Sequence, residues 1–429
     1  MPTSFYYFGV RLRKWNGFLV RYNQNNILIH IAERRKTRSA FFRGRRVNIR
    51  MDTKAFRTRQ EFHHEEHPGG KEFIIALDAG YSSIKAYYEN GFFAFPSYAR
   101  KIDNSMLQLF NKKDILYRDL ETKEMYILGY SAQDMISSTE TNDTYSESYA
   151  RKRYGAKTFK ILCNTALGIA LERKNDDREI FIQTGLPSSY EEADKPDLIK
   201  ALSKPSHFEI KVGERPWKEF DLAIKPENID VMPQPAGSLY SVLINNKGAY
   251  MPGARDILFG NCLVMDIGFG TFDFYGIKGR AIACKESTDE MGMRRVLQST
   301  CKKIMSNYSE DVRINALQRN LSTGFFTHLN EDEMKTEDVP LSPLLEEANQ
   351  EIFEEAMEKA RGITSSFRDY KYLIITGGTG AAWIDKIREY LKGMHTLQII
   401  PGNVNDNNSM IYSNVRGYYL YRYAANKKK

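Results

Sequence analysis

Two nine-residue stretches, LDAGYSSIK at 77–85 and MDIGFGTFD at 265–273, align without a gap at a separation of 188 residues. Asp78 falls on Asp266, Gly80 on Gly268, Tyr81 on Phe269, Ser82 on Gly270 and Ser83 on Thr271. Each stretch opens with an apolar run ending in Asp, bends through small residues and resumes as a second apolar run, which predicts strand, tight turn and strand. A hairpin repeated in one register constrains the chain to two related halves, and 429 residues leave each half room for a core of its own.

The elements around the repeat mix the two periods. Apolar residues at helical spacing predict a helix over 158–172, followed by a strand in EIFIQTGLP. FEIKVGERPWKEFDLAI alternates about a glycine and predicts a hairpin, and ENIDVMPQPAGSLYSVLINNKG predicts a strand entering a helix. Helices are expected in MGMRRVLQSTCKKIMSNY and PLLEEANQEIFEEAMEKARG, and a strand at 373–376 runs into the turn GGTG. The class is α/β.

Charge separates a prefix from this body. Residues 1–70 hold 15 Lys/Arg against 5 Asp/Glu, while 71–429 hold 47 against 49. The prefix contains ERRKTRSAFFRGRRVNIR and EFHHEEHPGG, and it reads as a basic, poorly ordered extension with the folded body starting at Lys71. Its arginines suit an electrostatic contact with phosphates, the one place where direct nucleic-acid contact is expected. The plainer account is a solvated tail, or a stretch upstream of a start at Met51. His63, His64 and His67 have the chemistry to grip a metal, but in a polar linker they are expected to be solvated.

Several classes are excluded. No run approaches the ~18 apolar residues of a membrane span, and Arg11 and Arg13 interrupt the N-terminal apolar residues before a signal core forms, so a cytoplasmic protein with no membrane partner is expected. The four cysteines lack both ligand spacing and a disulfide pattern.

The repeated turn suggests a chemistry. Gly and Ser allow backbone N–H groups to approach phosphate oxygens closely and permit positive φ, so two facing turns make a phosphate clamp. Asp78 and Asp266 beside a polyphosphate would repel it unless a cation lies between, and Mg²⁺ accepts one or two carboxylates while keeping several waters. Both aspartates are therefore expected to organise Mg²⁺ through water, with Lys85 adding charge at the β or γ phosphate. At GGTG, Gly377, Gly378 and Thr379 open a helix where a base or ribose can approach the backbone. Any one of these turns alone is an ordinary bend.

In order, the three stretches resemble the phosphate-1, phosphate-2 and adenosine motifs of the actin, Hsp70 and sugar-kinase superfamily, over roughly residues 71–423. The resemblance implies two RNase-H-like domains around a nucleotide cleft. Domain I would span 71–245 and domain II 246–412, with a C-terminal helix and tail, 413–429, docking on domain I. Nucleotide contacts would come from Gly80, Tyr81, Ser82, Ser83, Lys85, Gly268, Phe269, Gly270, Thr271, Gly377, Gly378 and Thr379. Glu290 and Gly292, in DEMGMRR, resemble the ribose-lining segment. LDAGYSSIKA followed by FPS, then TGLPSSY, VMPQPAGSLY and YSNVRGYYLY, are similar to the ParM and Alp plasmid-segregation actins.

That group implies a Mg²⁺-dependent ATPase, with GTP as the other candidate nucleotide, forming homopolymeric filaments that move plasmid DNA through a DNA-binding adaptor. Carried over, Gln234 would orient the attacking water, alongside Asp78 and Asp266 in the catalytic set. A neutral amide positions water but is a weak base, which suits slow hydrolysis. Asp273 reads as a turn or strand carboxylate. The alternatives are a sugar- or acetate-type kinase, for which no surplus Asp stands in a matching stretch, and a filament in which nucleotide is purely structural. An Hsp70-like substrate module has no room after the GGTG turn, and a membrane-tethered actin would want an amphipathic terminal helix where 413–429 reads as a docking one.

Overall fold

The computed structural model describes strands at 5–7, 10–15 and 18–21 and residues 52–103, 111–135, 152–289 and 291–427. The arginine run at 33–50, Met51, the polar stretch STETNDTYSES and Glu290 lie outside the described residues. The chain divides into two units, Met1–Ile49 and Arg50–Lys429.

In the first unit, β1 (Phe5–Tyr7), β2 (Val10–Trp15) and β3 (Phe18–Arg21) form an antiparallel sheet in that order. Part of the extension expected to lack order therefore pairs as strands.

The second unit holds the repeat. Its first lobe contains β4 (Glu61–His63), β5 (Phe73–Ala79), β6 (Ser83–Tyr88), β7 (Gly91–Pro96), β8 (Ala99–Ile102), β9 (Ile115–Asp119), β10 (Met125–Leu128), β11 (Ile180–Leu186), β12 (Ser206–Val212), β13 (Lys218–Leu222) and β14 (Ile229–Pro233). Six of these make a sheet ordered β14, β11, β5, β6, β7, β4, with β14, β11 and β5 parallel and the remainder antiparallel. A side sheet is ordered β13, β12, β9, β10, β8. The second lobe contains β15 (Cys262–Ile267), β16 (Thr271–Lys278), β17 (Ala281–Asp289), the hairpin β18 (Phe325–Asn330) and β19 (Lys335–Pro340), then β20 (Tyr372–Thr376) and β21 (Gln398–Pro401). Its sheet runs β17, β16, β15, β20, β21, with β15, β20 and β21 parallel. This matches β7, β6, β5, β11, β14 strand for strand, so the nine-residue echo marks a repeated half.

Ten α-helices are described: α1 (Gly129–Asp134), α2 (Lys157–Leu171), α3 (Glu191–Ser203), α4 (Gln234–Leu243), α5 (Ala254–Phe259), α6 (Met293–Tyr308), α7 (Ile314–Asn320), α8 (Ser342–Ile363), α9 (Gly378–Tyr390) and α10 (Ser413–Asn426). The predicted helix at 158–172 is α2, shifted by one residue, and its buried run from Phe159 to Leu171 packs on the first sheet. None of these helices is long and apolar enough to cross a membrane. A second core gathers α6, α8 and α9 around Trp383 and the other face of the β15 sheet. A third lies between the lobes, where α4 and α10 meet the inner strands of both.

The crossing of α4 and α10 is close enough to exclude side chains. A Cβ at Gly417 would overlap the Gly237 carbonyl and come within 2.8 Å of Ser241 N, and one at Gly237 would sit 2.6 Å from the Asn414 carbonyl. Glycine at both positions brings the two backbones into contact, and this contact fixes Gln234 and Asn414 at neighbouring ends of the crossing.

The body does not begin at Lys71. Residues 52–70 are built into it: β4 extends the first sheet, pairing Phe62 with Phe93, and Phe56 lies in the second core. His67, expected to be solvated, is 9% exposed, stacks on Tyr87 at 4.1 Å and shares a 3.0 Å hydrogen bond between its Nδ1 and that hydroxyl. Composition misleads here because an edge strand needs only three residues, and three well-spaced anchors, Phe56, Phe62 and His67, are enough to dock a polar segment.

Burial and the nearby Arg416 hold the His67 imidazole down at about 4. The unfolded chain, with the ordinary value of 6.5, therefore takes up a proton first as pH falls. Stability is full above pH 6.5 and declines down to about 4, by up to about 3 kcal/mol. His67→Phe should flatten that segment of the stability-versus-pH curve, measured by urea unfolding between pH 4 and 7.

Candidate functional site

The two repeated turns close on themselves in the same way. Gly80 N–H donates to the Ser83 carbonyl at 3.0 Å, and Gly268 N–H donates to the Thr271 carbonyl at 2.9 Å. Contrary to the sequence expectation, Gly80, Gly268 and Gly270 do not take positive φ. Glycine is required there for closeness: a Cβ on Gly80 would lie 2.8 Å from the Ser83 carbonyl, and one on Gly270 would lie 2.9 Å from the Tyr81 ring. The second of these contacts joins one turn to the other.

Between the turns lies a cavity of about 260 Å³. Asp78, Gly80, Tyr81, Ser82, Ser83 and Lys85 line it from the first lobe, and Asp266, Gly268, Phe269, Gly270 and Thr271 from the second. Gln234, Gly377, Gly378 and Thr379 line it as well. Gly292 does not: it stands before α6 with its Cα against the Gly268 and Phe269 carbonyls, where a Cβ would lie 2.7 Å from the latter. It backs the second turn.

The acidic groups of this cavity and the residues around them are held by specific partners. Asp78 accepts from Lys85 Nζ at 2.8 Å and from Gln234 Nε2 at 3.2 Å. Gln234 opens α4 with Pro235 at its start, so the two flanking prolines fix the helix entry and leave the amide facing Asp78. Asp266 accepts from Asn414 Nδ2 at 2.6 Å, and Asn414 is tied through Ser238 to Thr376. Gly377 takes φ +86, and its Cα passes so near Asp266 that a Cβ would stand 2.6 Å from Oδ1. Thr379 donates to the Gly268 carbonyl at 2.6 Å and accepts from Met293 N–H, so its hydroxyl braces the second turn.

The pseudo-equivalence also has an informative break. Asp78 pairs with Lys85 across β5 and β6, and Asp266 pairs with Asp273 at the same register across β15 and β16. A cation in one half is thus replaced by a carboxylate in the other. Burial, then Asp273 and Asp78, push the Asp266 carboxyl up to about 7, against the Asn414 hydrogen bond. Burial likewise raises Asp273 to about 6, although Ser287 and the Ser188 N–H, at 2.8 Å, donate to it. Asp273 is outside the cavity lining and ties the loop after β11 to the second lobe, in keeping with its reading as a strand carboxylate.

Residues 76–237 match the family described as actin like proteins, N terminal domain. A non-polymerisable quadruple mutant of the pCBH ParM superposes with a TM-score of 0.63 at 21% identity, covering 82% of this chain and 99% of that one. The fold is actin-like. A subunit of the 15-stranded ParM filament from Clostridium botulinum gives a TM-score of 0.63 at 20% identity, over 83% and 99% of the two chains. The actin-like protein Alp7A gives 0.58 at 13%, over 83% and 97%. No curated protein sequence matches significantly. The chain therefore shares its fold with these ParM and Alp structures.

Within the actin-like cleft, the donor set fits a hydrated divalent cation better than a caged one. Among the described residues no cluster of three or more His, Cys, Asp or Glu could hold a metal directly. Asp78 and Asp266 are nonetheless both buried beside the cavity, and the second is made costly to ionise by its carboxylate neighbours. A cation between the turns would relieve that cost.

Sequence reasoning did not find Asn414, Ser238, Thr376, Arg153 or the segment Ala55–Arg59. Arg153 stacks over Tyr81 at 4.2 Å and donates to the Ala79 carbonyl, holding the outer side of the first turn. Asn414 lies in YSNVRGYYLY, but nothing in its spacing indicates a partner 148 residues away.

Proposed function

We propose that this actin-like protein is a Mg²⁺-dependent ATPase that assembles into filaments with copies of itself and moves plasmid DNA through a DNA-binding adaptor. The observation that supports this most is the shared cavity: Asp78 and Asp266, from separate halves, line one space together with Gln234 and Lys85. Bound Mg²⁺ would supply positive charge against the β and γ phosphates, with Asp78 and Asp266 reached through its waters.

The remaining work falls to the chain itself. Amides of the turns at 80–83 and 268–271 bind phosphate oxygens, and Lys85, on the cavity wall beside Asp78, neutralises developing charge. Gln234 orients water on the face of the γ phosphate, and Gly377 and Gly378 let the nucleoside approach α9. Because the ligands come from both lobes, loss of the γ phosphate weakens the bridge between them, and that change in closure is the means by which hydrolysis alters filament stability. Filament formation is named for the relatives in this fold, ParM from Clostridium botulinum and Alp12 among them.

Sedimentation and negative-stain imaging with Mg-ATP, Mg-ADP and no nucleotide test the proposal. Polymer with the triphosphate and its loss as phosphate is released are expected; binding without polymer in any state would reject the filament. Gln234→Ala should slow phosphate release about 10- to 100-fold with nucleotide affinity within a few-fold of wild type, since water positioning is lost while phosphate contacts remain. Unchanged release would remove Gln234 from the chemistry.

A further inference from the structure

Residues 52–60 belong to neither repeated half, yet they run from one lobe to the other along the cavity. At the upstream end, Thr53 Oγ1 donates to the Leu321 carbonyl at 2.8 Å, and Phe56 lies in the second-lobe core with Leu317, Leu321 and Trp383. The turn Thr53–Phe56 packs on α9, the helix that opens at Gly378. Thr58 then donates through both N–H and Oγ1 to Gln318 Oε1 at 3.3 Å.

Within two residues the partners change lobe. The Thr58 carbonyl accepts from Tyr130 OH at 2.8 Å, Gln60 donates to the Lys113 carbonyl at 2.8 Å, and Tyr130 N–H donates to Gln60 Oε1 at 2.7 Å. The Arg57 guanidinium covers the Tyr130 ring at 4.1 Å, and β4 then joins the first sheet. Ala55 to Arg59 line the same cavity as the two acidic turns, on the side of Ala381 and Ala382 in α9. Arg57 Nε is buried there without a hydrogen-bond partner, a donor left for a ligand or water to meet.

We infer that Ala55–Arg59 forms a third wall of the nucleotide site, a strap over the base and ribose end that is pinned to both lobes and must loosen before nucleotide leaves. The inference rests on the nucleotide reading of the cleft. The turns at Asp78 and Asp266 define the phosphate end, and the strap packs on α9, whose opening glycines are where the nucleoside is expected to approach the backbone. A segment hydrogen-bonded to both lobes resists their separation, so its release and nucleotide dissociation are one event.

Hydrogen exchange of the full-length chain with and without Mg-ADP, together with the dissociation rate of radiolabelled ADP, tests this. Mg-ADP should slow exchange at 80–83, at 268–271 and also at 55–60. Gln318→Ala should speed ADP dissociation at least 10-fold and erase the added protection at 55–60 while both turns still respond. Tyr130→Phe, which keeps the packing and removes one strap hydrogen bond, should give a smaller increase in the same direction. Protection of the turns with 55–60 unchanged, or wild-type dissociation in both variants, would overturn the strap and leave the nucleotide site standing. No response at the turns would remove the nucleotide reading, and the strap with it.

Discussion

Asp266→Asn is expected to lower phosphate release from Mg-ATP at least 100-fold while leaving the nucleotide-free protein as stable as wild type, or more so. The two effects have opposite signs because one carboxylate serves both. Without a cation, burial and the carboxylates of Asp273 and Asp78 oppose its ionisation and push it up to about 7. An amide of the same shape removes that repulsion and can still accept from Asn414 Nδ2. With Mg-ATP bound, the missing charge removes an organiser of the cation, and loss of one preorganised electrostatic contact typically costs 10²–10³ in rate. Phosphate release and thermal melts of both proteins check this; a loss of rate accompanied by a large drop in melting temperature would mean that Asp266 acts by holding the fold.

Gly417→Ala is expected to destabilise by about 3 kcal/mol or more, among the larger effects available to a single methyl group. The added carbon would overlap the Gly237 carbonyl and lie 2.8 Å from Ser241 N, so α4 and α10 would have to separate. Both are held by backbone, which cannot rotate aside as a long side chain would. Gly362→Ala is the control: nothing lies within 4 Å of its Cβ in α8, and there alanine should stabilise by about 0.5–1 kcal/mol. Denaturant unfolding of both variants gives the comparison. The Gly417 variant should also bind nucleotide weakly, because the same displacement carries Gln234 and Asn414 away from the turns.

What could be read from the residues was what repeats or alternates. The hairpin echo at Asp78 and Asp266 foretold two related sheets and one shared cavity, since a repeated local pattern with a strand period carries its own geometry. Gln234 was found through resemblance, and its place at a helix start follows from Pro235. Contacts set by long-range packing carried no such signal. Asn414 reaches Asp266 only because Gly417 lies against Gly237, and no spacing encodes that crossing. Residues 52–70 were misread for a different reason: average polarity outweighed Phe56, Phe62 and His67, although a few buried anchors decide whether a polar segment docks. For Gly292 the resemblance to a ribose segment carried no hint that its lack of a side chain also makes room for the Gly268 and Phe269 carbonyls.

The dependence of Asp266 on Asn414 has a consequence for biosynthesis. α10 follows both acidic turns in the chain and packs against α4, β5 and β11, so it leaves the ribosome after every other part of the cleft. A nascent chain that already displays both turns lacks Asn414 and the Gly417 crossing, and its two lobes have nothing to seat Gln234 beside Asp78. The site proposed to take nucleotide is therefore completed only by the docking of α10, and no earlier part of the cleft can substitute for it.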